Sequence, residues 1–269
     1  MRKLPLDIIT PTLNAGNFVG SCILSTSNLR NSGARHIIVD SGSTDGTLVK
    51  VRSAGINLIY HPPGNMYSAI NRGISETDSE WITYLNGDDI IFPDAITSAL
   101  ESAAGNVDVI YGNIDYIDHV GRFLHHWKSA QEDDFRGLFG NRVMPFPQPG
   151  TLFRRSLWEK LHGFNEGYMY SADFDFFLRA FLEGARFKYF KNFPVAAFRL
   201  HQSQISQKYV ESMHSEVRQS IMHSGLQLGW YETVVVKAKM RYKNLNSYLS
   251  RILRYSHIYQ KLKIPRTIE

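Results

Sequence analysis

Cysteine and long apolar runs are both scarce in this chain, and each scarcity excludes a class of protein. Cys22 is the only cysteine among 269 residues, so an intrachain disulfide is impossible and nothing points to an oxidising compartment. No stretch approaches the roughly 20 apolar residues that span a bilayer, and Asp7 falls where the apolar region of a signal peptide would lie. We therefore expect a cytoplasmic protein without a membrane-spanning helix.

The composition is that of a globular protein. It is 43% hydrophobic and 20% charged, with a net charge of +5 at pH 7. The length fits one large domain, or one domain with an appendage. The small positive excess is compatible with nucleic acid, anionic lipid or phosphorylated ligands, so the distribution of the basic residues matters more than their number.

Short apolar segments alternate with segments of helical spacing. The apolar segments lie at 6–13, 36–40, 57–63, 80–89 and 107–113. This alternation predicts an α/β fold, with a mostly parallel sheet flanked by helices. From 118 to 149 the periodicity disappears into charged, aromatic and Pro/Gly-rich sequence, where we expect a long functional or mobile loop.

Polar clusters follow three of the predicted strands, at Thr10–Asn14, Asp40–Asp45 and Asn86–Asp89. In open α/β sheets, ligands bind beyond the carboxyl ends of the strands, so we expect the clusters to form one crevice. Asp88 and Asp89 repel each other unless a cation or donors compensate them. Adjacent carboxylates suit Mg²⁺ or Mn²⁺, and the alternative is a turn that caps the following helix.

The ordered segments ITPTLNAG, IIVDSGSTDGT and YLNGDD resemble family 2 of the inverting glycosyltransferases, over roughly residues 5–205. GNMYSAINRGI at 64–74 is similar to a segment of the subgroup that builds bacterial surface polysaccharides. The resemblance implies a GT-A fold, a Rossmann-like nucleotide-binding domain, over 1–208, with a C-terminal helical extension over 209–269. It also implies that sugar passes from a nucleoside-diphosphate donor to an acceptor hydroxyl.

The resemblance assigns donor and metal residues. Pro11 and Leu13 are implied to pack on the nucleotide base, Asp40 to bond to it, Asp88 to hold the ribose, and Asp89 to bind Mn²⁺ or Mg²⁺. Asn86 stands where some members have a further aspartate, which implies a metal site that depends on phosphate and water. The other residues implied to bind donor or metal are Asn14, Asn71, Arg199, Ser203 and the metal ligand His201, for which a solvated histidine is the alternative.

The segment YSADFDFFLRAFLEGARF at 170–187 has helical spacing and places Asp173 in the first turn. It resembles the family's E-D-x-D motif, which implies that Asp173 is the catalytic base, with Ala172 in place of the usual Glu. A single displacement with this base inverts the anomeric carbon. The alternative for Asp173 is a charge that stabilises the helix start, and we expect Asp175 to be structural.

FPQPGTLFRRSLWEKLHGFNE at 146–166 resembles the strand, helix and turn that precede the base. Gln148 is implied to line the acceptor pocket. We expect Arg154 and Arg155 to lie on a solvated helix face, and the aromatic residues of 187–198 to lie in the core.

Basic residues dominate the chain beyond Trp230. This pattern predicts a basic amphipathic helix in peripheral contact with an anionic membrane, and a solvated helix or an oligomer contact is the alternative. The family commonly uses acceptors carried on polyprenyl diphosphate, which implies a lipid-linked saccharide at the inner face of the cell membrane. The basic residues are Lys237, Lys239, Arg241, Lys243, Arg251, Arg254, Lys261, Lys263 and Arg266, against Glu232 and Glu269.

Two other classes of function compete with this interpretation. A nucleotidyltransferase that makes a nucleotide sugar would need a similar site, but TLNAG at 12–16 lacks the basic, glycine-rich loop expected for attack on phosphate. A nucleic-acid binder would explain the basic tail, but its RNP-like, zinc and homeodomain patterns are missing, so we expect no nucleic-acid partner.

Overall fold

The computed structural model describes residues 3–103, 105–204 and 208–249. Its strands are β1 (Leu6–Thr12), β2 (Arg35–Asp40), β3 (Asn57–Tyr60), β4 (Trp81–Tyr84), β5 (Ile90–Ile91), β6 (Val109–Ile117), β7 (Phe123–Trp127), β8 (Leu152–Arg154) and β9 (Phe187–Arg199). Its helices are α1 (Val19–Ser25), α2 (Ser27–Asn31), α3 (Thr47–Ser53), α4 (Met66–Ser75), α5 (Pro93–Glu101), α6 (Phe135–Gly140), α7 (Arg155–Lys160), α8 (Ala172–Leu182), α9 (Val210–Ser224) and α10 (Trp230–Lys243).

The strands pair into one mixed sheet in the order β3-β2-β1-β4-β8-β6-β9-β5, and β7 pairs with β6 outside this path. Strands β3, β2, β1 and β4 are parallel, as are β6 and β9, whereas β8 runs antiparallel to both β4 and β6. The mostly parallel α/β sheet predicted from the sequence is confirmed.

Both faces of the sheet are covered, which explains the continuous apolar runs in β1 and β2. Successive side chains of a strand point to opposite faces. Ile9 accordingly packs in a cluster with Val39 and Ile70 on one face, while Ile8 packs with Cys22 and Ile96 on the other. All of these side chains are buried.

The prediction of a long loop from 118 to 149 is wrong, because this region contains a strand and a helix. Strand β7 pairs with β6, and α6 buries Phe135, Leu138 and Phe139 in the core. The helix has only six residues, too few for its periodicity to stand out from irregular sequence. The region therefore contributes packing as well as connection.

Two smaller expectations are also wrong. Arg154 lies over the Trp81 ring, 4.4 Å from its centre, and Arg155 donates to Asp7, so neither is a solvated helix charge. The burial of Asp7 explains the position of Arg155, since a buried carboxylate needs a partner, whereas Arg154 pairs with Glu80. Within 187–198 the core prediction fails at Phe193, which is 62% exposed where β9 shifts register.

The two C-terminal helices pack on the preceding elements. Helix α9 contacts α8, and α10 contacts α6, where a Cβ on Gly137 would come within 2.6 Å of Val236. Met240 on α10 is buried. The division at residue 208 stays a prediction. Of the predicted membrane segment, Arg251, Arg254, Lys261, Lys263, Arg266 and Glu269 lie outside the described residues.

No helix in the described ranges is long and apolar enough to cross a membrane.

Candidate active site

The loops after β1 and β2 are tied to each other at the carboxyl edge of the sheet. Asn14 donates its backbone N–H to the Ser43 hydroxyl at 2.8 Å and accepts the Thr44 N–H on its side chain at 2.9 Å. Two positions farther along, the Gly16 N–H donates to Asp45 at 2.7 Å. These bonds place the first two predicted polar clusters together.

Asp40 is the central acceptor of this loop pair. It is buried, and accepts from the Gly42 and Ser43 N–H groups at 2.9 and 2.8 Å and from the Thr12 hydroxyl at 2.9 Å. These contacts fix the loop, so the role of Asp40 toward a nucleotide base stays a prediction. Pro11 is buried in β1, whereas Leu13 is 55% exposed and offers an apolar surface beside the loops.

The third cluster, after β4, closes on the first. A Cβ on Gly87 would lie 3.1 Å from the side chains of both Thr12 and Ala15, so a glycine permits this close approach. Asp88 is partly exposed and accepts from His201 Nε2 at 2.9 Å. The other ring nitrogen of His201 contacts the Ser203 hydroxyl at 2.7 Å.

His201 is also held through its ring. It packs on Phe18, with ring centres 4.4 Å apart. Asp88, His201 and Ser203 therefore form one connected group, and their roles toward donor and metal stay predictions. Ser203 contacts His201 in this group, which makes it a positioning partner; its contact with a donor stays a prediction.

Asp89 lies beneath Asp88. Its side chain is fully buried, with Oδ1 accepting the Arg199 N–H at 2.9 Å. Burial and the neighbouring Asp88 charge raise the pKa of Asp89 well above its ordinary range. The Oδ2 atom of Asp89 and the Oδ1 atom of Asn86 are buried without a hydrogen-bond partner among the described residues.

Arg199 is turned inward. It is 3% exposed, and its guanidinium donates to the Asp88 carbonyl at 2.8 Å, the Asp118 carbonyl at 3.3 Å and the Ser21 hydroxyl at 3.1 Å. These bonds give Arg199 a structural role, because they hold the loop at Asn86–Asp89 against the rest of the fold. Its predicted contact with the donor diphosphate stays a prediction, and the buried guanidinium does not favour it.

The oxygen-rich chemistry of this group fits a hard divalent cation, but the protein ligands are incomplete. The described residues contain no group of three or more His, Cys, Asp and Glu arranged to hold a metal ion. The orphaned Asp89 oxygen and the partly exposed Asp88 would suit a cation completed by phosphate and water. The roles of Asp89 as a direct metal ligand and of Asp88 as a ribose contact stay predictions. The partial exposure of Asp88 favours Asp88, rather than Asp89, as the residue that reaches the metal.

Asp173 lies in the first turn of α8, as predicted. Its Oδ1 accepts from the Tyr67 hydroxyl at 3.0 Å and from the Phe174 N–H at 2.9 Å. Burial raises the pKa of Asp173, while hydrogen bonds from Phe174, Tyr67 and Tyr84 oppose the rise. A raised pKa makes the ionised carboxylate a better proton acceptor.

Tyr84, at the end of β4, links the two groups of carboxylates. Burial raises the pKa of Tyr84, and the charges of Asp173 and, more weakly, Asp89 add to that rise. The charges of Asp173 and Asp89 therefore both act on this one tyrosine. Asp175 instead points away, accepting from Arg179 at 2.7 Å and Ser220 at 3.0 Å, which agrees with a structural role.

The two remaining predicted site residues are engaged in internal contacts. Gln148 donates to the Tyr84 carbonyl at 2.7 Å, near the crevice, and its contact with an acceptor stays a prediction. Asn71 uses its amide to bond Phe164, Glu166 and Trp158. It anchors the loop before α8, and nothing in its geometry supports contact with a donor.

Sequence reasoning missed four residues that build the site. Tyr67 was inside the quoted GNMYSAINRGI segment, so that segment carried a usable signal. Tyr84 is the first residue of the YLNGDD segment, so it also had a signal, whereas Phe18 and Glu216 had none, because each contacts residues distant in the chain. The four are Phe18, Tyr67, Tyr84 and Glu216.

The fold and its carboxylate-lined crevice define a glycosyltransferase of the GT-A fold. The chain belongs to glycosyl transferase family 2, whose sequence profile matches residues 7–162. It is similar to a "PGL/p-HBAD biosynthesis glycosyltransferase" of Mycobacterium bovis, with 28% identity over 201 residues, covering 71% of this chain and 75% of that one. Glycosyltransferase activity follows from this membership, and the alternatives of a nucleotidyltransferase and a nucleic-acid binder lose their support.

Solved structures agree on the fold. S. aureus TarS, truncated to residues 1–349 and in complex with UDP-GlcNAc, has a TM-score of 0.62 and 17% identity, covering 97% of this chain and 76% of that chain. This chain covers 46% of a longer TarS structure. Glucosyl-3-phosphoglycerate synthase from Mycobacterium tuberculosis, in complex with Mn²⁺, UDP and glucosyl-3-phosphoglycerate, has a TM-score of 0.59 and 16% identity, covering 83% and 81%.

Proposed function

We propose that this enzyme transfers a sugar from a nucleoside diphosphate to an acceptor hydroxyl by a single displacement with inversion, and that Asp173 is the base. The observation that carries the proposal is that two tyrosines pack on the Phe164 ring, with ring centres 5.8 and 5.5 Å away: Tyr67, which donates to Asp173 at 3.0 Å, and Tyr84, which ends the strand leading to Asn86–Asp89. One crevice can then receive the donor beside the Asp88 group and the acceptor beside Asp173. Such an arrangement suits attack and departure from opposite faces of the sugar.

The donor side would hold the nucleotide and a divalent cation. Leu13 offers an exposed apolar surface to a base, and the partly exposed Asp88 is bonded to the buried His201, whose other ring nitrogen contacts Ser203. Asp88 and His201, with Asp89 behind them, would hold Mn²⁺ or Mg²⁺ together with phosphate oxygens. When bound, such a cation neutralises the charge that develops on the leaving diphosphate. Complexes of structural neighbours with Mn²⁺ support this part of the proposal.

The base side would move one proton. Asp173 accepts the proton of the acceptor hydroxyl as the oxygen bonds to the anomeric carbon. Tyr67 fixes the orientation of Asp173 through its 3.0 Å hydrogen bond. A second carboxylate placed as a nucleophile would be needed for retention, and Asp175 is committed to Arg179 and Ser220.

We propose a lipid-linked saccharide as the acceptor, in bacterial surface polysaccharide synthesis, and peripheral contact of the enzyme with the inner face of the cell membrane. The exposed Lys128 and Lys191, with the half-buried Lys243, which donates to the Ser129 carbonyl, are called the lysine surface here and support the proposed contact. Lys191 and Lys243 flank the Tyr189 ring, with Nζ 5.4 and 5.2 Å from its centre. Burial lowers the pKa of Lys243, and the nearby positive charges of Lys191 and Lys128 contribute to that lowering.

An exposed aromatic residue adjoins the lysine surface. Phe193 is 62% exposed and lies two residues beyond Lys191 in the register shift of β9. Cationic side chains beside an exposed aromatic ring suit an anionic lipid surface. The contact is therefore assigned to a folded surface that includes the end of α10, rather than to the tail alone.

Donor specificity is tested by thermal stabilisation with UDP-glucose, UDP-N-acetylglucosamine and GDP-mannose, each with and without Mn²⁺. We expect one donor to raise the melting temperature only with Mn²⁺, because a ligand that binds the folded state stabilises it. Release of nucleoside diphosphate with an inverted anomeric product supports the mechanism. Release of pyrophosphate would instead indicate a nucleotidyltransferase, and a retained configuration would contradict the single displacement.

Membrane contact is tested with the double variant Lys128→Glu/Lys191→Glu. Each lysine near an anionic surface contributes about 1 kcal/mol, so sedimentation with phosphatidylglycerol vesicles at low salt should fall at least about tenfold. Arg52→Glu on α3 is the control for a charge reversal elsewhere. Equal sedimentation of the double variant and the wild type would remove the lysine surface from the proposal.

A further inference from the structure

A contact with no role in the proposed mechanism joins α9 to the segment that precedes α8. The carboxylate of Glu216 accepts the backbone N–H groups of Met169 at 2.8 Å, Tyr170 at 2.9 Å and Ser171 at 3.0 Å. It also accepts the Ser171 hydroxyl at 2.9 Å. One side chain therefore satisfies three consecutive N–H groups directly before the helix that carries Asp173.

Glu216 holds the residues directly before α8 in place of a local side-chain contact. Ser171 occupies the N-cap position of α8, but its side chain makes no capping bond and donates to Glu216 instead. A carboxylate at a helix N-terminus is favoured by the helix dipole and by unsatisfied N–H groups. Ala172, the first residue of α8, supplies no carboxylate of its own. The first turn of α8 contains Asp173 and Asp175, and the Glu216 carboxylate on α9 adds bonds to the backbone directly before that turn.

Further contacts hold the segment before α8 from both α9 and the start of α4. On the side of α9, Tyr209 stacks on Tyr170 with ring centres 4.7 Å apart. On the side of α4, Asn65 donates to the carbonyls of Glu166 at 2.7 Å and Tyr168 at 2.9 Å. The backbone before α8 is held between α4 and α9, and its freedom to shift controls where Asp173 lies.

We propose that Glu216 is a positioning residue for Asp173, so that helix α9 is part of the catalytic unit rather than an appendage. The inference rests on the proposed role of Asp173 as base. Loss of Glu216 frees three N–H groups and lets the first turn of α8 move. A displacement of about 1 Å at a reacting group can lower turnover by about 100-fold.

The test compares Glu216→Ala with Glu211→Ala, an exposed residue of the same helix. Turnover is measured as nucleoside-diphosphate release from UDP-glucose, UDP-N-acetylglucosamine and GDP-mannose with Mn²⁺. We expect Glu216→Ala to lower kcat by about 10-fold to 100-fold with the donor Kd within about threefold. Sodium formate, which fits the vacated N–H groups, should restore part of the lost kcat, whereas Glu211→Ala should match the wild type.

A second readout needs no substrate. Hydrogen exchange of a peptide covering residues 169–174 should become at least about tenfold faster in Glu216→Ala, because the three N–H groups lose their acceptor. A peptide from β1 serves as the control and should not change. If Glu216→Ala does not fold, Glu216→Gln is measured instead, and its single remaining acceptor oxygen should give a smaller change in the same direction.

The outcomes separate this inference from the proposed function. Unchanged kcat and unchanged exchange of 169–174 overturn the role of Glu216. A loss of kcat that formate does not relieve, accompanied by an equal loss of donor affinity, also overturns it, since that is general structural damage. Asp173→Asn is measured beside these variants. If Asp173→Asn keeps wild-type turnover, the proposed base fails; if Asp173→Asn is inactive while Glu216→Ala is fully active, only the positioning role fails.

Discussion

The donor side and the base side of the crevice are constructed differently. On the donor side, loops at neighbouring strand ends bond to one another, as Asn14 does with Ser43 and Thr44. On the base side, Asp173 depends on Tyr67, which precedes it by 106 residues, and on Glu216, which binds the preceding segment from α9. The donor side is fixed by local motifs, and the base side by long-range packing.

The two sides also differ in charge. Burial and a neighbouring carboxylate raise the pKa of Asp89, and the charge of the proposed cation would lower that pKa again. Asp173 has its raised pKa opposed by hydrogen bonds from neutral donors. A bound cation, as proposed, would complete the electrostatics of the donor side, whereas the hydrogen bonds to Asp173 come from the protein itself.

Asp173→Asn is expected to have the largest effect. The amide keeps the size of the side chain but cannot accept a proton, so turnover should fall by about 100-fold to 10,000-fold. Donor affinity should hardly change. Initial rates and donor Kd by calorimetry check this.

Asp175→Asn is the matched control for Asp173→Asn. It loses charge-assisted bonds to Arg179 and Ser220, which should lower the free energy of unfolding by about 1 to 3 kcal/mol and leave kcat largely intact. If Asp175→Asn is inactive while Asp173→Asn is active, the base is Asp175 and not Asp173. The description of the base side given above would then be wrong.

Asp88→Asn should weaken Mn²⁺-dependent donor binding by more than about tenfold, the lower range for loss of a partner at a metal site. Asp89→Asn should weaken it less, because an amide oxygen can still accept the Arg199 N–H that Asp89 accepts at 2.9 Å. Titration of the donor with and without Mn²⁺ measures both. A larger loss in Asp89→Asn would restore Asp89 as the principal metal ligand.

The same contrast explains what the sequence could predict. The strand ends and their polar clusters are local patterns, so the α/β class and the convergence of Asn14, Asp45 and Gly87 were accessible from spacing. The first turn of α8 was accessible for the same reason. The start of that helix is nevertheless completed by Glu216, and a single charged residue on a distant helix has no pattern that marks it.

The errors have a common physical cause. From sequence alone Arg155 is predicted to be a surface charge, but in the structure it bonds to the buried Asp7. Likewise α6 is predicted to be loop, but its aromatic side chains are buried in the core. Asn71 lies in a segment that resembles a family motif, yet it bonds to the loop before α8. In each case a tertiary partner decides the role of a residue whose local sequence is ambiguous.

Tyr67→Phe should produce the smallest effect, and one visible mainly as pH dependence. The Tyr67 hydroxyl donates to Asp173 and favours its ionised form, opposing the rise in pKa that burial causes. Removing that donor raises the pKa of Asp173 further. Because the base must be ionised to act, the acid limb of kcat/KM should move to higher pH, while the rate on the alkaline side should stay within about tenfold of the wild type.

The control for Tyr67→Phe is Tyr242→Phe, since Tyr242 is 82% exposed on α10 and far from the first turn of α8 in the chain. Its pH profile should coincide with that of the wild type. An acid limb that stays in place in Tyr67→Phe, or moves to lower pH, would show that Tyr67 does not set the ionisation of the base. The base side would then have to be completed by Tyr84 and the Phe174 N–H, the other donors to Asp173.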